Sequence, residues 1–134
     1  FLAAAWFTNN GYIVSWPTGS FSEYDFIIDK KGEEPKRVQV KTIYFDAHKK
    51  RYVSGLALSH RQADGTTISK KYDVNSFDIC AFVCMDYNAI YAVPVDKIIG
   101  RQSITFYPDR PHTNIKRPFN YERYKDQLIR VNNE

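Results

Sequence analysis

Tyr24-Asp25-Phe26-Ile27-Ile28, then Lys31-Gly32-Glu33-Glu34-Pro35, then Arg37-Val38-Gln39-Val40-Lys41-Thr42: this stretch decides the fold of the 134-residue chain. Two apolar runs flank turn residues, the pattern of a β-hairpin. Side chains alternate along a strand, so Asp25, Ile27 and Asp29 share one face of the first strand, and Gln39 and Lys41 share one face of the second. A hairpin closing about Glu33 sets Asp25 opposite Lys41 and Ile27 opposite Gln39, with opposed Cβ atoms roughly 5 Å apart. A one-residue slip would separate acid and lysine onto opposite faces. An aspartate and a lysine held together form a compact place for a metal ion and an attacking water, the elements of phosphodiester hydrolysis. The same spacing also describes an ordinary cross-strand Asp–Lys pair on a solvated face, and spacing alone leaves both readings open.

The pattern Tyr24-Asp25-x13-Gln39-x-Lys41 resembles the PD-(D/E)xK nuclease superfamily, in the branch where glutamine replaces the second acid. The likeness extends over roughly residues 2–98. It includes a helix ending in Asn10-Gly11-Tyr12, then Ile13-Val14 and Pro17, and later Tyr72, Phe77-Asp78, Phe82 and Tyr91-Ala92-Val93-Pro94-Val95. The stretch from Arg110 to Leu128 is a weaker match. Members of the branch include intron-encoded homing endonucleases and nucleases of prokaryotes and phages. The resemblance implies an α/β, restriction-endonuclease-like core with a central mixed β-sheet flanked by helices. It implies one nuclease domain over residues 1–134, with residues 103–134 as a C-terminal strand-loop-helix extension.

The resemblance also assigns roles. Asp25, Gln39 and Lys41 are the expected catalytic residues. Asp25, the Gln39 amide oxygen and the Val40 backbone carbonyl are the expected ligands of Mg²⁺, with Mn²⁺ able to substitute. Magnesium is a hard cation that takes oxygen ligands and keeps several waters. Lys41 would hold the attacking water or the phosphate oxygens as a compact point charge. The substrate would be double-stranded DNA, cut to 5′-phosphate and 3′-hydroxyl ends. A homodimer or homotetramer is expected because cutting two strands needs two sites. A junction-resolving nuclease and a DNA-binding protein without catalysis are the alternatives. Two departures stand out. Gln39 lacks the charge of the usual acid, which weakens metal binding. The branch's helix glutamate would fall just before Phe1, and since the sequence starts without Met its beginning is expected to be missing. Glu23 and Asp29 are further candidate acids, and a solvated strand start is the plainer reading of Glu23.

Composition fits an anionic partner. The net charge is +4 and the isoelectric point is near 9.0, a balance that attracts polyanions. Residues 30–71 hold eleven Lys/Arg against four acids, around the proposed site. Phosphate contacts supply most non-specific affinity for DNA. Lys49, Lys50, Arg51, Arg61, Lys70, Lys71, Arg110, Lys116 and Arg117 are therefore the expected DNA contacts. A solvated basic face is the bland alternative. No signal peptide or membrane-spanning run is read, and the apolar stretch Ile79–Met85 is far too short to cross a bilayer. Cys80 and Cys84 are four apart on one strand, about 13 Å, too far for a disulfide. Reduced thiols agree with a cytoplasmic setting, in a prokaryotic or phage-infected cell on the branch's precedent. His48, His60 and His112 lack metal-ligand spacing.

The remaining pattern predicts a helix over 1–8 with Asn9-Asn10-Gly11 as its stop, strands over 12–16, 24–29, 37–45 and 51–58, and a polar loop over 60–71. A hairpin joins 77–85 to 89–94. A short helix over 95–100, a strand over 103–107, a proline-framed basic loop over 110–118 and a helix over 120–128 complete the order. Tyr121, Tyr124 and Leu128 carry the helical spacing of the last.

Overall fold

The computed structural model describes residues 2–19, 23–48, 51–61, 63–71, 75–84, 89–106 and 128–130, with 57–61, 67–71 and 128–130 described by backbone and register. In chain order the elements are helix α1 (Leu2–Asn9) and strands β1 (Ile13–Ser15), β2 (Phe26–Asp29), β3 (Lys36–Ile43), β4 (Phe45–Asp46), β5 (Arg51–Gly55), β6 (Ala57–Arg61), β7 (Thr67–Lys71), β8 (Ile79–Cys84), β9 (Ala89–Pro94), β10 (Ser103–Phe106) and β11 (Leu128–Arg130).

The decisive hairpin forms, with a shifted register. Phe26 faces Val38, Ile27 faces Arg37 and Ile28 faces Lys36. Ile27 thus lies opposite Arg37, two positions from the Gln39 expected. The turn explains the shift. It closes about Gly32, whose φ of 88° only glycine adopts without strain, and the Glu33 N–H donates to the Lys30 carbonyl at 2.9 Å. A shift of two equals the strand period, so every side chain keeps its expected face.

Among the described residues six strands form the central sheet, in the order β1-β2-β3-β8-β9-β11. All neighbours are antiparallel except β3 and β8, which run parallel with Gln39 beside Cys80 and Lys41 beside Phe82. A three-stranded antiparallel sheet, β10-β5-β4, is separate from it. Each face of the central sheet is covered by a different layer. On one, Ala3, Ala4 and Phe7 of α1 pack on Phe26, Ile28, Val38, Ala81, Val83 and Ile90. The alanines let the helix approach closely, and Phe7 is the largest buried side chain of the helix, contributing about 2–3 kcal/mol of apolar transfer. On the other face, Ile43, Cys80, Phe82, Cys84, Tyr91 and Val93 pack against Tyr52, Leu56, Ile104 and Phe106 of the smaller sheet and its borders. The Tyr91 and Phe106 rings stack there at 4.2 Å. One flank is therefore a helix and the other, among the described residues, a small sheet.

Helix α1 ends where the sequence says it should. Gly11 has φ of 89°, the Tyr12 N–H reaches the Phe7 carbonyl at 3.0 Å and the Gly11 N–H reaches the Thr8 carbonyl at 3.3 Å. That pair of bonds is a Schellman cap, which needs a left-handed residue at the glycine position. Lys30 then ties the cap to the hairpin, with its Nζ on the Asn10 carbonyl at 3.3 Å and 4.9 Å above the Tyr12 ring.

Four sequence expectations change. Residues 60–71, expected as a polar loop, instead complete a second hairpin, β6 with β7. Its Ser/Thr/Lys-rich strands lack the apolar alternation that marks half-buried strands. The strand expected over 51–58 breaks at Leu56, which is buried and donates its N–H to the Gln102 carbonyl at 3.0 Å. Leu128, expected at the end of a helix, begins β11 opposite Tyr91; the rest of that helix, at 120–127, and the basic loop at 110–118 lie outside the described residues. The expected short helix over 95–100 is a single 3-10 turn, Val95–Lys97. No described helix is long and apolar enough to cross a membrane.

Candidate active site

Asp25 sits one residue before β2, where that strand stops and β3 runs on. Beyond this point β3 exposes backbone groups on its β2 side, and buried or half-buried backbone groups need partners. Asp25 provides them. Its N–H donates to the Val38 carbonyl at 2.8 Å, and its carboxylate Oδ2 accepts the Val40 N–H at 2.6 Å. The side chain therefore replaces the missing strand at the residue between Gln39 and Lys41. A charge-assisted bond of this length is among the stronger hydrogen bonds available to a protein.

The N–H and C=O of one strand residue point to the same neighbour, so the Val40 carbonyl opens on the Asp25 side as well. The Gln39 amide nitrogen lies 3.5 Å from that carbonyl, the outer limit of a hydrogen bond. An amide held this loosely can turn and present its oxygen instead. Asp25 is exposed, while Gln39, Val40 and Lys41 are half-buried, so the group opens to solvent at the acid. Lys41 and Asp25 converge on one landmark, the Cys80 thiol. Burial pushes that thiol well above its usual range, Lys41 pulls it back, and Asp25 adds to the rise. Both charges thus fall within electrostatic reach of the same sulfur. The register shift, being two residues, leaves Asp25, Gln39 and Lys41 on one face of the sheet.

The oxygen donors assembled here are one carboxylate, one backbone carbonyl and one amide. Among the described residues no group of three His, Cys, Asp or Glu could hold a metal. A single carboxylate with neutral oxygens suits magnesium, which keeps several waters and uses few protein ligands; it does not suit zinc, which favours nitrogen and sulfur. Asp29 is exposed and four residues along β2 from Asp25, about 13 Å, so it stands apart from the group. Glu23 is half-buried and its charge acts on Arg37.

Arg37 and Asp78 form a clamp that sequence reading missed. The Asp78 Oδ2 accepts the Arg37 N–H at 2.7 Å and its Nε at 3.2 Å, and Oδ1 accepts Nη2 at 3.3 Å. The Asp78 N–H returns to the Arg37 carbonyl at 2.9 Å, and Arg37 Nη1 reaches the Asn75 carbonyl at 2.6 Å. The bonded Arg37 guanidinium holds the Asp78 carboxyl below its ordinary 3.8. This clamp starts the parallel β3–β8 register two residues before Gln39. The partners are 41 apart in sequence, and no local pattern links them.

Of the expected DNA contacts, Arg51 is on β5, half-buried, with its Nε buried and without a hydrogen-bond partner among the described residues. Arg61 is on β6, and Lys70 and Lys71 are on β7. Lys49, Lys50, Arg110, Lys116 and Arg117 lie outside the described residues.

A mixed sheet of this kind, helix on one face, is the restriction-endonuclease-like architecture. A bacterial homing endonuclease, I-Ssp6803I, shares the fold at 23% identity with a TM-score of 0.73, over 90% of this chain and 80% of that one. MepB shares it more distantly, at 12% identity and a TM-score of 0.57, over 91% of this chain and 87% of that one. Comparison with curated proteins gives no match. The sequence profile of the PD-(D/E)XK endonuclease family matches residues 2–125, and the chain belongs to that family.

Proposed function

We propose that this chain is a metal-dependent, site-specific DNA endonuclease of the homing type, from the branch that carries Gln-x-Lys in place of a second acid. The observation that carries this reading is the Asp25 carboxylate bonded at 2.6 Å to the backbone N–H between Gln39 and Lys41. That bond holds the acid beside the two residues with which it would work.

Asp25, the Val40 carbonyl and the Gln39 amide oxygen would hold a divalent ion, Mg²⁺ or Mn²⁺. Such an ion, when bound, lowers the pKa of a coordinated water and neutralises charge on the scissile phosphate. Asp25 supplies the one full negative charge of the set. Its bond to Val40 consumes one lone pair and fixes the carboxylate plane, leaving the other oxygen for the ion. Lys41 supplies the positive charge: its ammonium orients the attacking water or a phosphate oxygen and offsets charge in the transition state. Hydrolysis with the 3′ oxygen leaving gives 5′-phosphate and 3′-hydroxyl ends. Gln39 adds an oxygen without a charge, so this site should need more metal than a two-acid site. Cutting both strands of duplex DNA calls for two copies of the site, as in a homodimer or homotetramer.

The test compares the protein with Asp25→Ala and Lys41→Ala on long duplex DNA, with and without Mg²⁺. Discrete fragments from the unaltered protein alone, and only with metal, support the reading. DNA binding without cutting in any metal would instead make this a binding protein. Cutting confined to branched DNA would make it a junction resolvase. Equal cutting by all three proteins would place the chemistry elsewhere.

A further inference from the structure

Among the described residues, strands β6 and β7 pair with each other and with neither of the other sheets. They form a two-stranded ribbon that begins one residue after β5, at the buried Leu56. This places its root in the layer covering the Gln39 and Lys41 face of the central sheet. The tip is a built turn: Gly65 has φ of 90°, and Asp64 Oδ1 accepts the Thr66 N–H at 2.9 Å and the Thr66 hydroxyl at 2.6 Å. The Thr66 hydroxyl bond holds the Asp64 carboxyl below its ordinary value.

Register sorts the ribbon residues into two sets. Ala57 pairs with Lys71, Ser59 with Ser69 and Arg61 with Thr67, and these six fall on one face. Leu58, Lys70, His60 and Ile68 fall on the other. The first face thus holds five hydrogen-bonding residues, and the apolar Leu58 and Ile68 are both on the second. A sheet face made almost wholly of Arg, Lys, Ser and Thr has little apolar area with which to stabilise a core, but it matches the chemistry of base edges. The major groove of duplex DNA is wide enough for a two-stranded ribbon.

We infer that this ribbon reads the target sequence, the face with Ser59, Arg61, Thr67, Ser69 and Lys71 meeting base edges in the major groove. The inference rests on the nuclease reading above and adds its source of specificity. Arg and Lys both favour the two acceptors of guanine, whereas Ser and Thr accept several bases. Arg61 lies at the tip end of the ribbon and Lys71 at the root. They are separated by four residue positions, about 13 Å, or roughly four base-pair steps. The target therefore contains two guanine-preferring positions about four base pairs apart. Lys70, on the opposite face, contributes affinity through phosphate without choosing a base.

The test is selection of bound duplexes from a randomised DNA library by the full chain and by Arg61→Ala, Lys71→Ala and Lys70→Ala, followed by affinity measurements on the selected duplex over a range of salt. Circular dichroism melting confirms that each variant is folded, and changes on both strands of the ribbon guard against one failing to fold. The full chain should select a defined sequence. Arg61→Ala and Lys71→Ala should each relax one guanine position by about tenfold or more, and Lys70→Ala should weaken all sequences alike with a shallower salt slope. Unchanged selection profiles in Arg61→Ala and Lys71→Ala would overturn the assignment and leave the nuclease reading standing. Cleavage without any sequence selection by the full chain would overturn it together with the site specificity proposed above, and leave a nuclease of low specificity. A full chain that neither binds nor cuts duplex DNA would overturn both.

Discussion

The carboxylate of Asp25 and the backbone N–H of Val40 meet at 2.6 Å, so the acid of the proposed site is bonded to the strand that carries its proposed partners. Asp25→Asn keeps an acceptor for that N–H and loses the charge. Cleavage with Mg²⁺ should fall by more than the roughly 10–100-fold expected on losing a supporting residue, with the melting temperature little changed. A plasmid-nicking assay beside a thermal melt would show the two effects apart; near-normal cleavage would remove Asp25 from the chemistry.

Gln39→Glu restores the charge this chain lacks. A full charge about 4 Å from a cation is worth several kcal/mol at an effective dielectric of 20, before desolvation is subtracted. The Mg²⁺ concentration for half-maximal cleavage should drop roughly tenfold or more. A titration of cleavage rate against Mg²⁺ that superimposes on that of the unaltered protein would exclude Gln39 from the metal site.

The Arg37–Asp78 clamp gives a stability that depends on pH. The Asp78 carboxyl is depressed in the folded state, chiefly by its hydrogen bond from Arg37. Its contribution is therefore complete above the unfolded value of about 4, and fades as pH falls through the lower folded value. The side chains are 34% and 38% exposed, so solvent screening reduces the ion-pair part. With the backbone bonds included, Asp78→Asn should cost about 1 kcal/mol at pH 7. Melting curves of the two proteins should differ by several degrees at pH 7 and converge toward pH 3; a constant gap across that range would mean that the charge of Asp78 is irrelevant.

Cys80 and Cys84 are both fully buried, and burial raises the Cys80 thiol. Only thiolate reacts readily with disulfide reagents. Neither cysteine should react in the native protein at pH 8, and both should react at once in 6 M guanidinium, a denaturing concentration. Rapid native labelling would contradict their burial.

Gly11→Ala places a Cβ where there is room, its nearest neighbour being Lys30 Cε at 3.6 Å. The cost is conformational, because φ is 89°. Urea unfolding should show a loss of about 1 kcal/mol, mostly by loosening the α1 cap.

Much of this was legible because it is local. The hairpin, the face shared by Asp25 and Lys41, and the glycine cap of α1 each follow from alternation or turn chemistry within a few residues. The register was misplaced by two because Lys30 to Pro35 contains several residues suited to a turn, and only the backbone angle of Gly32 selects among them. Residues 60–71 read as a loop in the sequence because the strands of the ribbon carry no continuous run of alternating apolar residues. The Arg37–Asp78 clamp and the pairing of Leu128 with Tyr91 join distant parts of the chain, and periodicity carries no information about them. Asp25 was placed on the correct face, but its bond to Val40 depends on β2 stopping one residue short, a detail that no propensity encodes.

The parallel pairing of β3 with β8 sets an order of assembly. Asp25 can meet Val40 as soon as a local hairpin closes. The strand that supports Gln39 and Lys41 from the other side returns only after residues 44–78, which include the ribbon and most of the smaller sheet. Closing so long a connection is slow relative to forming a hairpin. A half-folded chain therefore has the acid in place without the backing that positions its partners, and the site is complete only once this long-range pairing has formed.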